Sequence, residues 1–89
     1  KLNKIRSELD KLDNILIRII KKRTSLVKKV LTLKENKNQI VDKKRIKTIL
    51  RNIKKKSLKN NIDPKITNRI WKNMIWSYID FEKRNFKKK

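Results

Sequence analysis

Apolar residues recur along the first third of the chain at alternating intervals of three and four: Leu2, Ile5, Leu9, Leu12, Leu16, Ile19, then Leu26, Val30 and Leu33. Kept over more than four heptads, this spacing predicts one amphipathic helix over about residues 2–35. Its single break is Arg23, in "IKKRTSLVKK", where the pattern asks for a leucine. The periodicity lapses at "KENKNQIVD", and Asp42 is placed to cap a second helix over about 43–58, with Ile46, Ile49, Leu50 and Ile53 on one face. In "NNIDPKI", Asp63 followed by Pro64 marks the start of a third helix over about 64–86. Ile66, Ile70, Met74, Ile75, Tyr78, Ile79 and Phe81 should face inward, with a lysine tail frayed beyond. No internal repeat is visible. The expected class is all-α, with three helices in one domain over residues 1–89.

Length changes that picture. A helix of roughly 50 Å exceeds what a three-helix monomer of this size can cover. Much of it must pack on another chain, and a second copy is the default partner. Glycine is absent and proline occurs once, which fits helices joined by short connections.

Charge is the next constraint. Lys plus Arg number 29 against 8 Asp plus Glu, a net +21 that would hold any anionic partner close. Lys, Ile and Asn together make up 46 of the 89 residues, a bias that base composition in a coding sequence could produce, so the lysines read equally as a solvated coat or as a binding face. With seven arginines in the chain, arginine placement carries more information than lysine placement. The lack of Cys and His excludes thiolate and imidazole catalysis, disulfides and the usual zinc ligands. The apolar runs are too short for a membrane span or a signal-peptide core, which makes a cytoplasmic location the simplest expectation. The first residue is not Met, so a few residues are expected to precede Lys1.

Arg23 is the sharpest anomaly. Burying an unpaired guanidinium costs several kcal/mol, so it needs a carboxylate or phosphate partner. Either it pairs with one of the eight acids or snorkels at the edge of the apolar stripe, or it lines an anion pocket between helices. On an ideal helix Lys34 points within about 20° of Arg23, roughly 16 Å along the axis. Arg6 points about 100° away and lies some 42 Å from Lys34, so one small ligand cannot touch both. If Arg6 serves such a pocket, it is the pocket of another protomer. Glu82, one turn after Tyr78, puts an acid on the apolar face of the third helix, as an edge residue, a salt-bridge partner or a site group. Asp42 and Arg45 form either a polar lip of the same pocket or a local cap and pair.

Taken together, these residues resemble the all-helical (type II) chorismate mutases over nearly the whole chain. "IRSELDKLDNILIRIIKKRTSLVKKVLTLK" is similar to that family's first helix: an Arg, an acid-rich turn, a second Arg seventeen residues after the first, and a Lys eleven further on. "VDKKR" resembles the start of its second helix, and "IDPKITNRIWKNMIWSYIDFE" its third. The resemblance implies an intertwined helical homodimer with two equivalent sites. It assigns Arg6 as the arginine donated by the partner, Arg23 as the carboxylate-binding arginine and Lys34 as the lysine on the ether oxygen and a carboxylate. Asp42 and Arg45 match a polar pair near the ring hydroxyl, and Glu82 falls where bacterial members usually have Gln. The implied activity is the conversion of chorismate to prephenate in aromatic amino acid biosynthesis. It is a one-step pericyclic rearrangement that needs no cofactor or metal, only a clamp for a dianion and stabilisation of charge growing on the ether oxygen. Glu82 could donate to that oxygen only when protonated; apolar surroundings favour the neutral form and nearby cations the carboxylate.

Two positions depart from the mutase pattern. Ile46 follows Arg45 where mutases usually carry a Glu that contacts the substrate hydroxyl, and Tyr78 stands where many have Ser. Both, with "MIWSYIDFE" and the interval of eleven from Lys34 to Arg45, look closer to isochorismate pyruvate lyases, which split isochorismate into salicylate and pyruvate on the same fold. Mutase is the first expectation and lyase the second. A basic nucleic-acid binder is a distant third, because no aromatics interleave the basic runs and Trp71 and Trp76 read as helix-packing residues. A coiled-coil interaction module is the remaining bland reading, and it would tolerate Arg23→Leu.

Overall fold

A computed structural model describes residues 1–87, an elongated all-helical body of 55 × 25 × 15 Å. Lys88 and Lys89, the end of the expected frayed tail, lie outside the described residues. Helix α1 spans Leu2–Leu33, α2 Lys43–Lys59 and α3 Pro64–Asn85. Among the described residues no helix is long and apolar enough to cross a membrane.

α1 stops two residues short of the expected end. The backbone of Lys34 turns to an extended conformation, its amide bonding back to the Leu31 carbonyl. Between α1 and α2, a single 3-10 turn over Lys37–Gln39, absent from the sequence expectation, is closed by a capping box in which Asn36 and Gln39 satisfy each other's ends. Asp42 caps α2 as expected, its Oδ1 accepting the Arg45 amide at 3.0 Å.

The α2–α3 corner is built without glycine. Asn61 takes φ 57°, the Ile62 amide reaches the Ser57 carbonyl at 2.8 Å and the Asn61 amide reaches Leu58 at 3.2 Å. Asparagine tolerates the left-handed conformation that normally selects glycine at this point of a helix C-terminus. Asp63 then caps α3 through the Lys65 amide at 2.9 Å, with Pro64 in the first turn. Ser57, almost fully buried, meets Thr67 at 2.6 Å and pins the two helices together.

The core is small and lies at one end. Leu31, Ile40 and Ile79 are buried, and Val41, Ile46, Ile75 and Phe86 pack against them. Here the C-terminus of α1, the 3-10 turn, the start of α2 and the end of α3 converge. The expected seam is not what α1 presents to its own chain. Leu26, Val30 and Leu33 are exposed, Leu33 by 76%. The face turned to α3 is instead Ile20, Thr24, Val27 and Leu31, offset from that seam by roughly 120° on a helical wheel. Leu2, Ile5, Leu9, Leu12, Leu16 and Ile19 are likewise exposed, each about half. α3 departs from expectation at its first turns, where Ile66 and Ile70 are exposed; Met74, Ile75, Tyr78 and Phe81 are half-buried and Ile79 is buried. Trp71 is half-buried as a packing residue should be, but Trp76 is 49% exposed. For α1 and for Ile66 and Ile70 the physical reason is the same, that one chain supplies too little neighbouring surface; Trp76 instead continues the polar stripe of Lys65, Arg69 and Lys72 on α3.

Candidate active site

Two of the expected site residues meet at the closed end. Lys34 caps α1 and Glu82 sits in the last turns of α3, 48 residues apart, and the Lys34 ammonium donates to Glu82 Oε2 at 2.6 Å. Their side chains keep 18% and 9% of their exposure. It is the one ion pair among the described residues. Glu82 is therefore neither an edge residue nor an unpaired acid. A buried carboxylate held by one lysine has further lone pairs for a ligand, and the lysine has two more N–H groups.

Beside Lys34 opens a concavity of about 660 Å³, walled by Asn38, Gln39, Val41 and Asp42. Asp42 thus stands near Lys34, while its Oδ1 is committed to capping. Arg45 is exposed and does not line this concavity, so the lip expected from the Asp42–Arg45 pair has only its Asp42 half here. Ile46 faces inward and packs on the Leu31–Ile40–Ile79 cluster.

Arg23 lines a separate groove of about 590 Å³ between α1 and α3, with Ile20, Thr24, Met74, Tyr78 and Phe81 among its walls. Within one chain Arg23 is exposed, not buried, and no protein acid pairs with it among the described residues. Arg23 and Lys34 lie on the strip of α1 between its two apolar stripes, so both border the face that lacks a partner. Arg6 is exposed far along α1, apart from every other site residue.

Tyr78 is tied down in a way that the sequence reading missed. Thr24 gives its hydroxyl hydrogen to the Ile20 carbonyl at 2.8 Å, which leaves its oxygen to accept from the Tyr78 phenol at 2.7 Å. The Ile20 carbonyl lies 3.3 Å from the same phenol. The available signal was Thr24 itself, a hydroxyl in the otherwise apolar Ile20–Val27–Leu31 stripe, one residue from Arg23.

A cationic α1 with a buried Lys–Glu pair at its end matches a sequence pattern broader than any single motif. The family model described as chorismate mutase type II matches residues 5–83. The chain belongs to that family. It therefore carries the type II chorismate mutase domain over most of its length, and the family supports activity of the chorismate mutase type. No curated protein and no solved structure matches the chain.

Proposed function

We propose that this protein is a chorismate mutase that works as a homodimer, converting chorismate to prephenate. The observation that carries the reading is the Lys34–Glu82 ion pair, in which the buried Glu82 fixes the Lys34 cation at the rim of a concavity. In this mechanism Arg23 and Lys34 bind the two substrate carboxylates together with Arg6 of the partner subunit, holding the dianion in the compact conformer from which the new bond forms. Lys34 also faces the breaking C–O bond, where negative charge grows on the ether oxygen. Glu82 holds the Lys34 ammonium in place for that contact through their ion pair. Asp42, which lines the concavity, takes the ring hydroxyl side, and Tyr78 closes the wall next to Arg23. No covalent step or cofactor is required.

The dimer is supported by the exposed seam from Leu2 to Ile19. Six half-exposed aliphatic side chains in one stripe are each worth about 1 kcal/mol on burial. An isolated helical arm in water is at best marginal. A second copy laid along it also brings an Arg6 toward the Lys34 end.

One observation favours the isochorismate pyruvate lyase as a second reading: Ile46 is packed into the core, so the position that usually offers a glutamate to the substrate hydroxyl offers no polar atom. The assay that decides is product formation from each substrate, prephenate from chorismate against salicylate from isochorismate. Salicylate alone would overturn the mutase assignment. For the shared site, Arg6→Ala and Lys34→Ala proteins, each inactive, should regain partial activity when mixed, because one of the two sites in a heterodimer is intact. No recovery after demonstrated subunit exchange would rule out a site built from two chains.

A further inference from the structure

Between Lys43 and Ile79 the sequence carries twelve cations and one acid, Asp63. Part of that charge is gathered in one place. Two shallow concavities of about 650 and 440 Å³ share Lys65 and Asn68 and so form one continuous groove beside the α2–α3 pair. Arg51 and Lys54 line it from α2, and Lys65, Arg69 and Lys72 from α3. All five cations are exposed, and none has an ion-pair partner among the described residues. Asp63, the acid in the lining, is occupied with the Lys65 amide as the helix cap.

The α3 side of the groove is a regular stripe. Lys65, Arg69, Lys72 and Trp76 follow one another at intervals of four, three and four, which keeps them within about 60° of one another over roughly 16 Å of helix. The stripe thus ends on an exposed indole, and Asp80, one turn further, closes the run. None of these residues lines the concavity at Lys34 or the groove at Arg23.

We propose that this groove is a binding face for single-stranded nucleic acid, independent of the catalytic reading, with backbone phosphates along the five cations and a base stacked on Trp76. The chemistry is that of sequence-tolerant strand binders, a cationic track beside an aromatic platform. A second copy fits this face poorly, because an isologous contact would set the same cations against each other. An acidic peptide would satisfy the charges but has no base to stack on the indole. In a duplex the base faces are already stacked. An anionic bilayer calls for several apolar anchors in one plane, and this stripe offers Trp76 alone.

The test is fluorescence anisotropy of the full chain with a labelled oligothymidylate of about 20 nucleotides, titrated over a range of salt concentrations. Replacing Arg51, Lys54, Lys65, Arg69 and Lys72 with Gln should lower the log–log salt slope by about 3.5, at about 0.7 per phosphate contact on a single strand. A control with Gln at Lys4, Lys11, Lys22, Lys28 and Lys47 has the same net charge and should keep most of the slope. Trp76→Ala should weaken binding at least about fivefold while leaving binding of polyglutamate unchanged. Arg69→Gln alone should lower the slope by about 0.7, which covers the case in which the fivefold variant fails to fold. Equal losses in the two fivefold variants would mean diffuse charge and overturn the proposal, as would an indifferent Trp76→Ala. Tighter binding of a duplex, of polyglutamate or of phosphatidylserine vesicles at the same salt would overturn it in favour of that partner.

Discussion

The two ends of α1 live in different environments. At its C-terminus, Leu31 is buried with Ile40 and Ile79, and Lys34 is locked to Glu82 by a short ion pair. Over the first two-thirds, a seam of leucines and isoleucines of equal regularity stands in water. Propensity and periodicity are alike in both halves, so the difference is one of neighbours: α2, at 17 residues, and α3, at 22, are each shorter than the 32-residue α1. The closed end is folded by its own chain. The open arm is patterned for a surface that one chain does not provide.

Substitutions can separate these two kinds of stability. The largest effect is expected at the closed end, where Ile79→Ala should cost about 3–4 kcal/mol of unfolding free energy, measured at fixed protein concentration, because a core this small has few atoms to refill the cavity. Lys34→Ala should follow at about 3 kcal/mol, the low end for breaking a buried pair, since Lys34 keeps some contact with water and only Glu82 is left stranded. An unchanged melting temperature would mean that Glu82 is rehydrated at little cost. On the open arm, Leu9→Ala should remove about 1 kcal/mol per copy; counted twice in a symmetric dimer, that raises the dissociation constant about 30-fold by sedimentation, with little change in the closed end. If self-association is indifferent to Leu9, the seam has some other cover. Arg23→Leu should be the gentlest on stability, neutral or slightly favourable because it extends the apolar stripe. Turnover should nonetheless fall by at least about 100-fold. Retained turnover would remove Arg23 from the site.

The same contrast explains what could be read from the sequence. Helix number, the Asp42 and Asp63 caps and the all-α class were legible because capping and heptad spacing are local properties. The seam was legible as a pattern but not as an environment: the spacing marks Leu26, Val30 and Leu33 as apolar, and cannot tell whether their own chain or another covers them. Of the three buried hydrophobics, Ile79 lies on the expected face of α3, whereas Leu31 and Ile40 lie off the pattern; Leu31 belongs to the stripe with Thr24 and Val27 that faces α3. The acid on the apolar face of α3 could be singled out, with a salt bridge among its open readings. Its partner could not be named, because nothing local links Lys34 to Glu82 across 48 residues. The 3-10 turn over Lys37–Gln39 was hidden because it falls in the segment where the apolar periodicity lapses. Trp76 was misjudged because an aromatic on a helix is more often packed than displayed.

The uninterrupted run of α1 from Leu2 to Leu33 has a consequence for how this chain can change over time. A continuous helix is a ruler with an angular scale, on which the eleven residues from Arg23 to Lys34 amount to about three full turns. Replacing any of the intervening residues leaves that phase alone. Inserting or deleting a single one swings the two cations about 100° out of alignment and breaks the seam on the far side of the cut. Descendants of this sequence can therefore drift in letters, as the lysine and asparagine surplus suggests, but are held almost fixed in length between those two positions.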